Sequence, residues 1–365
     1  MGAAGIASAR ERGKAVQNLE RLLYVTDKSG VSIYDIQDNH KLIGKIDVPD
    51  SGAYKGISVS VPLNALYLTS NLKDDLICID LDTNRIRWRR HYKEGYVDSQ
   101  AITPDGKTLY VPLRDGDSWA VLDAATGDVK TQIKVAHGQN YAPDNHPIGG
   151  IGPHNTWMNK DGTRVYLEVL TMPYVYIADT KTNQLIGKIG PFSKGLRPIC
   201  VDDAEKYTYV NVDWLLGFEV GSIERGTPWS GKMLHRVEAK TPASRLAQMP
   251  NPPARKPHST MSHGINIRPD QKEVWVVDGV YGYVYVYDVT SMPPKHVDDV
   301  PLFKDPSEQP HPGWVSFSID GKYAYPDGGA VIDTATKKVV SRFPTSEKLV
   351  EIQFLNGKLH KAGHR

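Results

Sequence analysis

Apolar and polar side chains alternate along most of this chain in short runs, and the runs are separated by Gly, Pro, Asn and Asp. A two-residue period marks a strand with one face more buried than the other. The fullest example is Thr103-Pro104-Asp105-Gly106-Lys107-Thr108-Leu109-Tyr110-Val111, followed by Ala120-Val121-Leu122-Asp123-Ala124-Ala125-Thr126-Gly127. An Asp-Gly or Asn-Gly pair between two such runs predicts a hairpin, because the turn needs the positive φ that Gly and Asn tolerate. The phrase returns at intervals of roughly 40 to 50 residues with four strands to a unit, the period of a β-propeller blade.

Alignment on the turn that follows each first strand finds seven copies, at Asn64, Asp105-Gly106, Asp161-Gly162, Asp203-Ala204, Asp270-Gln271, Asp320-Gly321 and Asn356-Gly357. The ends of the chain fit together. Arg21-Leu22-Leu23-Tyr24-Val25-Thr26-Asp27 reads as a second strand with no first strand before it, and Leu349-Val350-Glu351-Ile352-Gln353-Phe354 as a first strand with nothing after it. Pairing them closes a ring and removes the open edge of a linear array. The expectation is an all-β, seven-bladed propeller of four-stranded antiparallel blades. It forms a single domain over residues 21–358, with tails at 1–20 and 359–365.

Composition agrees. A chain of 365 residues would ordinarily suggest two or more domains, but stacked blades form one unit. Only 6 Phe against 32 Gly and 25 Pro suit many short strands and tight turns. A formal net charge of +2 sets up no field that would draw the molecule onto nucleic acid or an anionic membrane. The basic-aromatic run Arg85-Ile86-Arg87-Trp88-Arg89-Arg90-His91 reads as an outer strand protected by charge. Cys78 and Cys200 fall in strands of different blades and read as small buried hydrophobes. No stretch is long and apolar enough to span a bilayer. The chain is therefore expected to be soluble, periplasmic or secreted if an export signal has been removed and cytoplasmic otherwise.

Lys107-Thr108-Leu109-Tyr110-Val111, Leu22-Leu23-Tyr24-Val25-Thr26-Asp27 and Ala330-Val331-Ile332-Asp333-Thr334-Ala335-Thr336-Lys337-Lys338-Val339-Val340 resemble the repeats of the bacterial YVTN family of seven-bladed propellers. The resemblance covers most of residues 21–358 and implies the architecture. It does not choose an activity, since the family's relatives include binding proteins, lactonase-like enzymes and amine-dehydrogenase-type subunits. The chain departs from the usual Thr-Asn ending at Asp27, Leu113, Glu168, Val277 and Asp278.

In such a meander the starts of first strands, the ends of second strands and the connections between blades share one face, here the upper face. Long connections fall there at 136–150, 221–261 and 303–310. The middle one, with Pro242, Pro250, Pro252, Pro253 and Pro257, is expected to be irregular, with residues 240–260 a candidate lid. Counting seven residues back from each turn gives Lys55, Asp98, His154, Leu196, His263, Gly313 and Leu349, with Arg197 one place later and His311 two places earlier than their neighbours. Second-strand ends bring Asn71, Arg114, Asp115, Glu168, Asp213, Asp278 and Asp327 to the same rim, and His137, His146 and His258 lie in the preceding loops.

Imidazoles converging on a channel mouth have two readings: they hydrogen-bond loop carbonyls and waters in a polar channel, or they bind a divalent transition metal, Zn, Fe or Cu, with His154, His263 and His311 as ligands and one position open for water or substrate. Glu168 or Asp278 would complete the shell, fix an imidazole tautomer or act as acid/base. Arg197 or Lys55 would grip a carboxylate or enolate, unless Arg197 pairs with Asp98 or Asp213. The expected function is an enzyme acting on a small molecule in the channel, of lyase, hydrolase (lactonase) or oxidase type. A metal-free histidine base is a variant of it. The competing reading is a non-catalytic propeller presenting rim loops to a protein, peptide or nucleic acid. A redox subunit is a third, although no Cys-x-x-Cys-His haem motif is present. No nucleotide cofactor is expected, because Gly149-Gly150-Ile151-Gly152 enters a strand rather than a helix. Ser262 and His263 point to opposite faces of a strand and form no dyad. Tyr281, Tyr283, Tyr285 and Tyr287, with Trp157 and Trp314, read as packing between blades.

Overall fold

The alternating runs form strands that pair with their neighbours in sequence, and the pairing stops wherever a long connection intervenes. The computed structural model describes residues 18–93, 95–135, 152–170, 172–250, 261–304, 313–344 and 347–363. These hold seven antiparallel sheets, the blades of a propeller. Blade 1 joins the two ends of the chain. Leu349–Leu355 pairs with Leu19–Asp27, placing Leu22 opposite Ile352 and Val25 opposite Leu349. Blades 2 to 7 follow in order, with innermost strands Tyr54–Ser60, Ala101–Ile102, Pro153–Met158, Leu196–Val201, Ser262–Ile267 and Val315–Phe317.

Burial follows from stacking blade on blade. Middle strands such as Ala65–Ser70 are covered on both faces, while outer strands such as Val129–Lys134 are largely exposed. The apolar clusters lie between neighbouring blades, where Tyr283, Tyr285 and Tyr287 pack together with Tyr281 beside them. Cys78 and Cys200 are buried free thiols in different clusters. Each aligned turn carries a residue at positive φ: Asn64, Gly106, Gly162, Glu205, Gln271, Gly321, and Asn356 with Gly357. The basic outer strand is neutralised locally, Arg87 by Asp80, Arg89 by Asp75 and Arg90 by Asp128.

Two stretches differ from the sequence reading. After the Asn356-Gly357 turn the chain doubles back as Lys358–Ala362, a fifth strand on the channel-side edge of Leu349–Leu355. Residues 221–261 are not wholly irregular. Met233–Glu238 is the outer strand of blade 5, and Ala243–Gln248 forms a short helix directly after Pro242. Proline is tolerated at a helix start, where its missing N–H would have no intrahelical partner. Counting prolines only as breakers hid the helix. Its Arg245 is buried, donating from Nη2 to the Phe303 carbonyl at 2.6 Å and lying over the Tyr283 ring. No helix of the described residues is long and apolar enough to cross a membrane.

The seam between blades 1 and 7 contains a buried histidine. His40 meets the Tyr325 hydroxyl at 3.0 Å and packs edge-on against Tyr323 and Phe343. Burial, followed by the Arg21 charge, holds its pKa down at about 4. The unfolded chain takes up this proton near pH 6.5 and the folded one does not. Stability is therefore expected to fall as pH drops from about 6.5 to about 4. Urea unfolding of the wild type and His40→Asn across that range checks this, with the variant losing less stability than the wild type.

Candidate functional site

The strand entries that the repeat aligned are where the sheets are irregular. In blade 2 Tyr54 faces Ser70 and Gly56 faces Thr69, so Lys55 is an extra residue. In blade 4 Pro153 faces Val169 and Asn155 faces Glu168, which makes His154 the extra one. Blade 5 inserts Arg197 and Pro198 opposite Asn211, and blade 6 inserts His263 and Gly264 opposite Val277. A β-bulge bends its strand and re-aims the side chain it carries. Here four bulges turn Lys55, His154, Arg197 and His263 toward a common space. Gly264 has φ +113°, and a Cβ on it would lie 2.7 Å from the Trp314 Cα, so the blade 6 bulge requires glycine.

The space is a cavity of about 250 Å³ at the upper mouth of the channel. Besides those four residues it is lined by Asp98 and Arg114 from blade 3, Asp327 and Trp314 from blade 7, and Lys348 from blade 1. Tyr96 and Leu170 add apolar surface. A second cavity, about 330 Å³, opens at the lower mouth, walled by Trp157, Ile267 and Phe317 and by Lys361–Gly363 after the extra strand. It is the larger of the two, but titratable groups converge on the upper one, and convergent polar groups are what distinguish a reacting site.

Each imidazole is fixed through Nδ1. His154 Nδ1 is 2.6 Å from Glu168 Oε2, and His263 Nδ1 is 2.7 Å from the Gly313 carbonyl oxygen. A carbonyl only accepts, so His263 carries its proton on Nδ1, which leaves Nε2 as its basic nitrogen. Glu168, when ionised, selects the same tautomer for His154, because a carboxylate only accepts. The ring centroids are 6.0 Å apart and the planes are nearly perpendicular. Glu168 is fully buried behind His154, and burial raises its pKa well above the usual carboxyl range, opposed by Arg197 and reinforced by Asp98. Its Oε1, the Asn155 amide and the Ser99 hydroxyl are buried without a hydrogen-bond partner among the described residues. Buried polar atoms are ordinarily satisfied, so three such groups around one histidine mark a polar site.

Most other charges at the mouth are paired. Arg197 donates from Nε and Nη2 to Asp213 Oδ1, at 2.8 and 2.7 Å. Arg114 reaches Asp98 Oδ2 at 3.2 Å and lies over the Tyr96 ring, and Lys348 reaches Asp327 Oδ2 at 3.2 Å and lies over Trp314. Burial raises the pKa of Asp98 against the pull of Arg114 and Lys55, and that of Asp327 against Lys348.

Of the residues expected at the site, Lys55, Asp98, His154, Arg197, His263 and Asp327 therefore line one cavity, with Glu168 behind His154. Asp278 does not line it. Its Oδ1 accepts from the backbone N–H groups of Val280 and Tyr281, and its Oδ2 from the Tyr285 hydroxyl, so it organises a blade 6 turn. Arg197 lines the cavity and pairs with Asp213, one of the two carboxylates named as its alternative partner. Ser262 Oγ accepts from the Gly217 N–H and plays no part with His263. Trp314, read as packing, is a wall of the cavity, and Lys348, one residue before the aligned Leu349, was passed over. A charged neighbour beside an apolar aligned position was the available signal. His137, His146, His258 and His311 lie outside the described residues.

No family model and no curated protein sequence matches the chain. Among solved structures it is similar to hydrazine synthase from Kuenenia stuttgartiensis, with TM-score 0.60 and 15% identity over 89% of this chain and 93% of the other. It is also similar to the β-propeller domain of Cps50 (Swd1) from Myceliophteria thermophila, with TM-score 0.60 and 11% identity over 87% and 90% of the two chains. At these identities the likeness shows the fold and nothing of the chemistry.

Proposed function

We propose that the chain is an enzyme transforming a small molecule at the upper channel mouth, with one divalent transition metal held between His154 and His263. The observation that carries the proposal is the way both imidazoles are fastened. Histidines that bind metals commonly donate the other ring N–H to a carboxylate or a backbone carbonyl, and this pair shows one of each. Their spacing suits a shared ion, since with Zn–N bonds of about 2.0–2.1 Å two ring centres on one metal lie roughly 5–6 Å apart. The observed separation is 6.0 Å. His311, the third ligand expected from the sequence, stands two residues before Gly313, whose carbonyl fixes His263. The resemblance to YVTN propellers is compatible with this role and does not carry it.

Bound there, a metal would polarise a carbonyl or lower the pKa of a water. The protein's own part is to fix the two rings, with Glu168 and the Gly313 carbonyl holding their Nδ1 atoms. Trp314, Leu170 and Tyr96 limit water. A second reading rests on the 2.6 Å contact alone, with His154 as a general base oriented by Glu168 and no metal. Elemental analysis of protein purified without added metal separates the two. Near-stoichiometric metal is expected in the wild type, with loss in both His154→Ala and His263→Ala. A metal-free wild type would favour the general-base reading.

A further inference from the structure

The lining of the upper cavity contains four fixed cations, and three of them are matched. Arg114 faces Asp98, Arg197 faces Asp213, and Lys348 faces Asp327. The fourth, Lys55, is half-buried on the blade 2 bulge and makes no hydrogen bond or ion pair with any described residue. It lies close enough to Asp98 and Asp327 to act on both electrostatically, yet each of those carboxylates is already bonded to another cation. Among the described residues Lys55 is the one lining cation that no carboxylate bonds.

From this we infer that the cavity takes a small monocarboxylate, whose carboxylate is anchored by the Lys55 ammonium. The inference deepens the reading of this cavity as the substrate site and rests on it. The surroundings of Lys55 select the ligand class. Its ammonium is bonded to no described carboxylate, while Asp98 and Asp327, which line the same cavity and act on it electrostatically, disfavour a dianion such as phosphate. Size agrees, since about 250 Å³ is smaller than the roughly 300–1,000 Å³ of drug-sized sites. Geometry places the anchor and the imidazoles apart. Lys55 enters from blade 2 and His154 and His263 from blades 4 and 6, so a carboxylate held at one side presents the rest of the molecule to Trp314, Leu170 and the two histidines. The sequence reading named Arg197 or Lys55 for this clamp, and Lys55 is the one of the two without a bonded partner among the described residues.

The test is calorimetric titration of the full chain with acetate and lactate, with acetamide as the uncharged analogue and inorganic phosphate as the dianion. Wild type is expected to bind both carboxylates and to prefer them to acetamide and to phosphate. Lys55→Met should weaken carboxylate binding about tenfold or more, the scale of one lost charge-assisted hydrogen bond, and Lys55→Arg should keep most of it. Unchanged thermal unfolding of both variants shows that the fold is intact. Metal content separates this inference from the proposal beneath it, because Lys55→Met should retain whatever metal the wild type holds. Carboxylate affinity unchanged in Lys55→Met, no carboxylate binding by the wild type, or a preference for phosphate would each overturn the inference without touching the metal assignment. Metal-free wild type that still loses acetate binding in Lys55→Met would overturn the metal and leave the carboxylate anchor standing.

Discussion

Arg197→Met is expected to destabilise the protein by about 3–5 kcal/mol, the cost of removing one partner from a buried ion pair. Arg197 is 2% exposed and Asp213 is 4% exposed, so neither group has water to fall back on. Both described nitrogen contacts of the guanidinium go to one oxygen, Asp213 Oδ1. Methionine fills much of the same volume but leaves a carboxylate buried without its cation. Burial already works against the charged guanidinium, lowering its pKa, and Asp213 is what opposes that shift. Urea unfolding measures the loss directly. A clamp on substrate would behave differently, with KM raised and the unfolding midpoint unmoved. That outcome would return Arg197 to the ligand.

The ring closure should be nearly as sensitive. Arg21 is on the first described strand and Glu351 is on the last blade-forming one. The guanidinium grips the carboxylate with two bonds, Nε to Oε1 at 2.8 Å and Nη2 to Oε2 at 3.2 Å, while Nη1 reaches Asp320 at 2.6 Å. The Glu351 side chain is fully buried. Arg21→Met is expected to cost about 2–3 kcal/mol, less than Arg197→Met, because the Ile319 N–H and Gln353 still donate to Glu351 and Asp320 turns to solvent. Urea unfolding measures it, and proteolysis under native conditions should cut first near the seam, between the strands Leu19–Asp27 and Leu349–Leu355. Loss of stability without earlier cleavage there would mean that the pair stabilises its own blade but does not hold the ring shut.

The blade count, the closure and the face bearing the polar cavity were legible because each rests on local chemistry repeated seven times. A turn that needs positive φ keeps its Asn, Gly or Asp, and the strand before it keeps its length, so position relative to the turn survives folding. Counting from the turn therefore brought Lys55, Asp98, His154 and His263 to one mouth. What the count missed depends on contacts between blades. Strand bulges insert a residue without any sequence mark beyond Gly264, as at Arg197, which meets Asp213, while in blade 1 Lys348 lines the cavity beside the aligned Leu349 without any bulge. Asp278 looked equivalent to Glu168 by position, yet two backbone N–H groups and a tyrosine hydroxyl claim it. The strand Lys358–Ala362 was missed because a channel-side edge strand needs no partner blade and carries no repeat signature.

Anomalous diffraction across the absorption edge of the metal that elemental analysis identifies, from crystals grown without chelator, tests the site most directly. The arrangement of His154 and His263 predicts an anomalous peak about 2.0–2.2 Å from the Nε2 atom of each. An Nε2 pair with no anomalous peak between them, hydrogen-bonded to water or to each other, would contradict it.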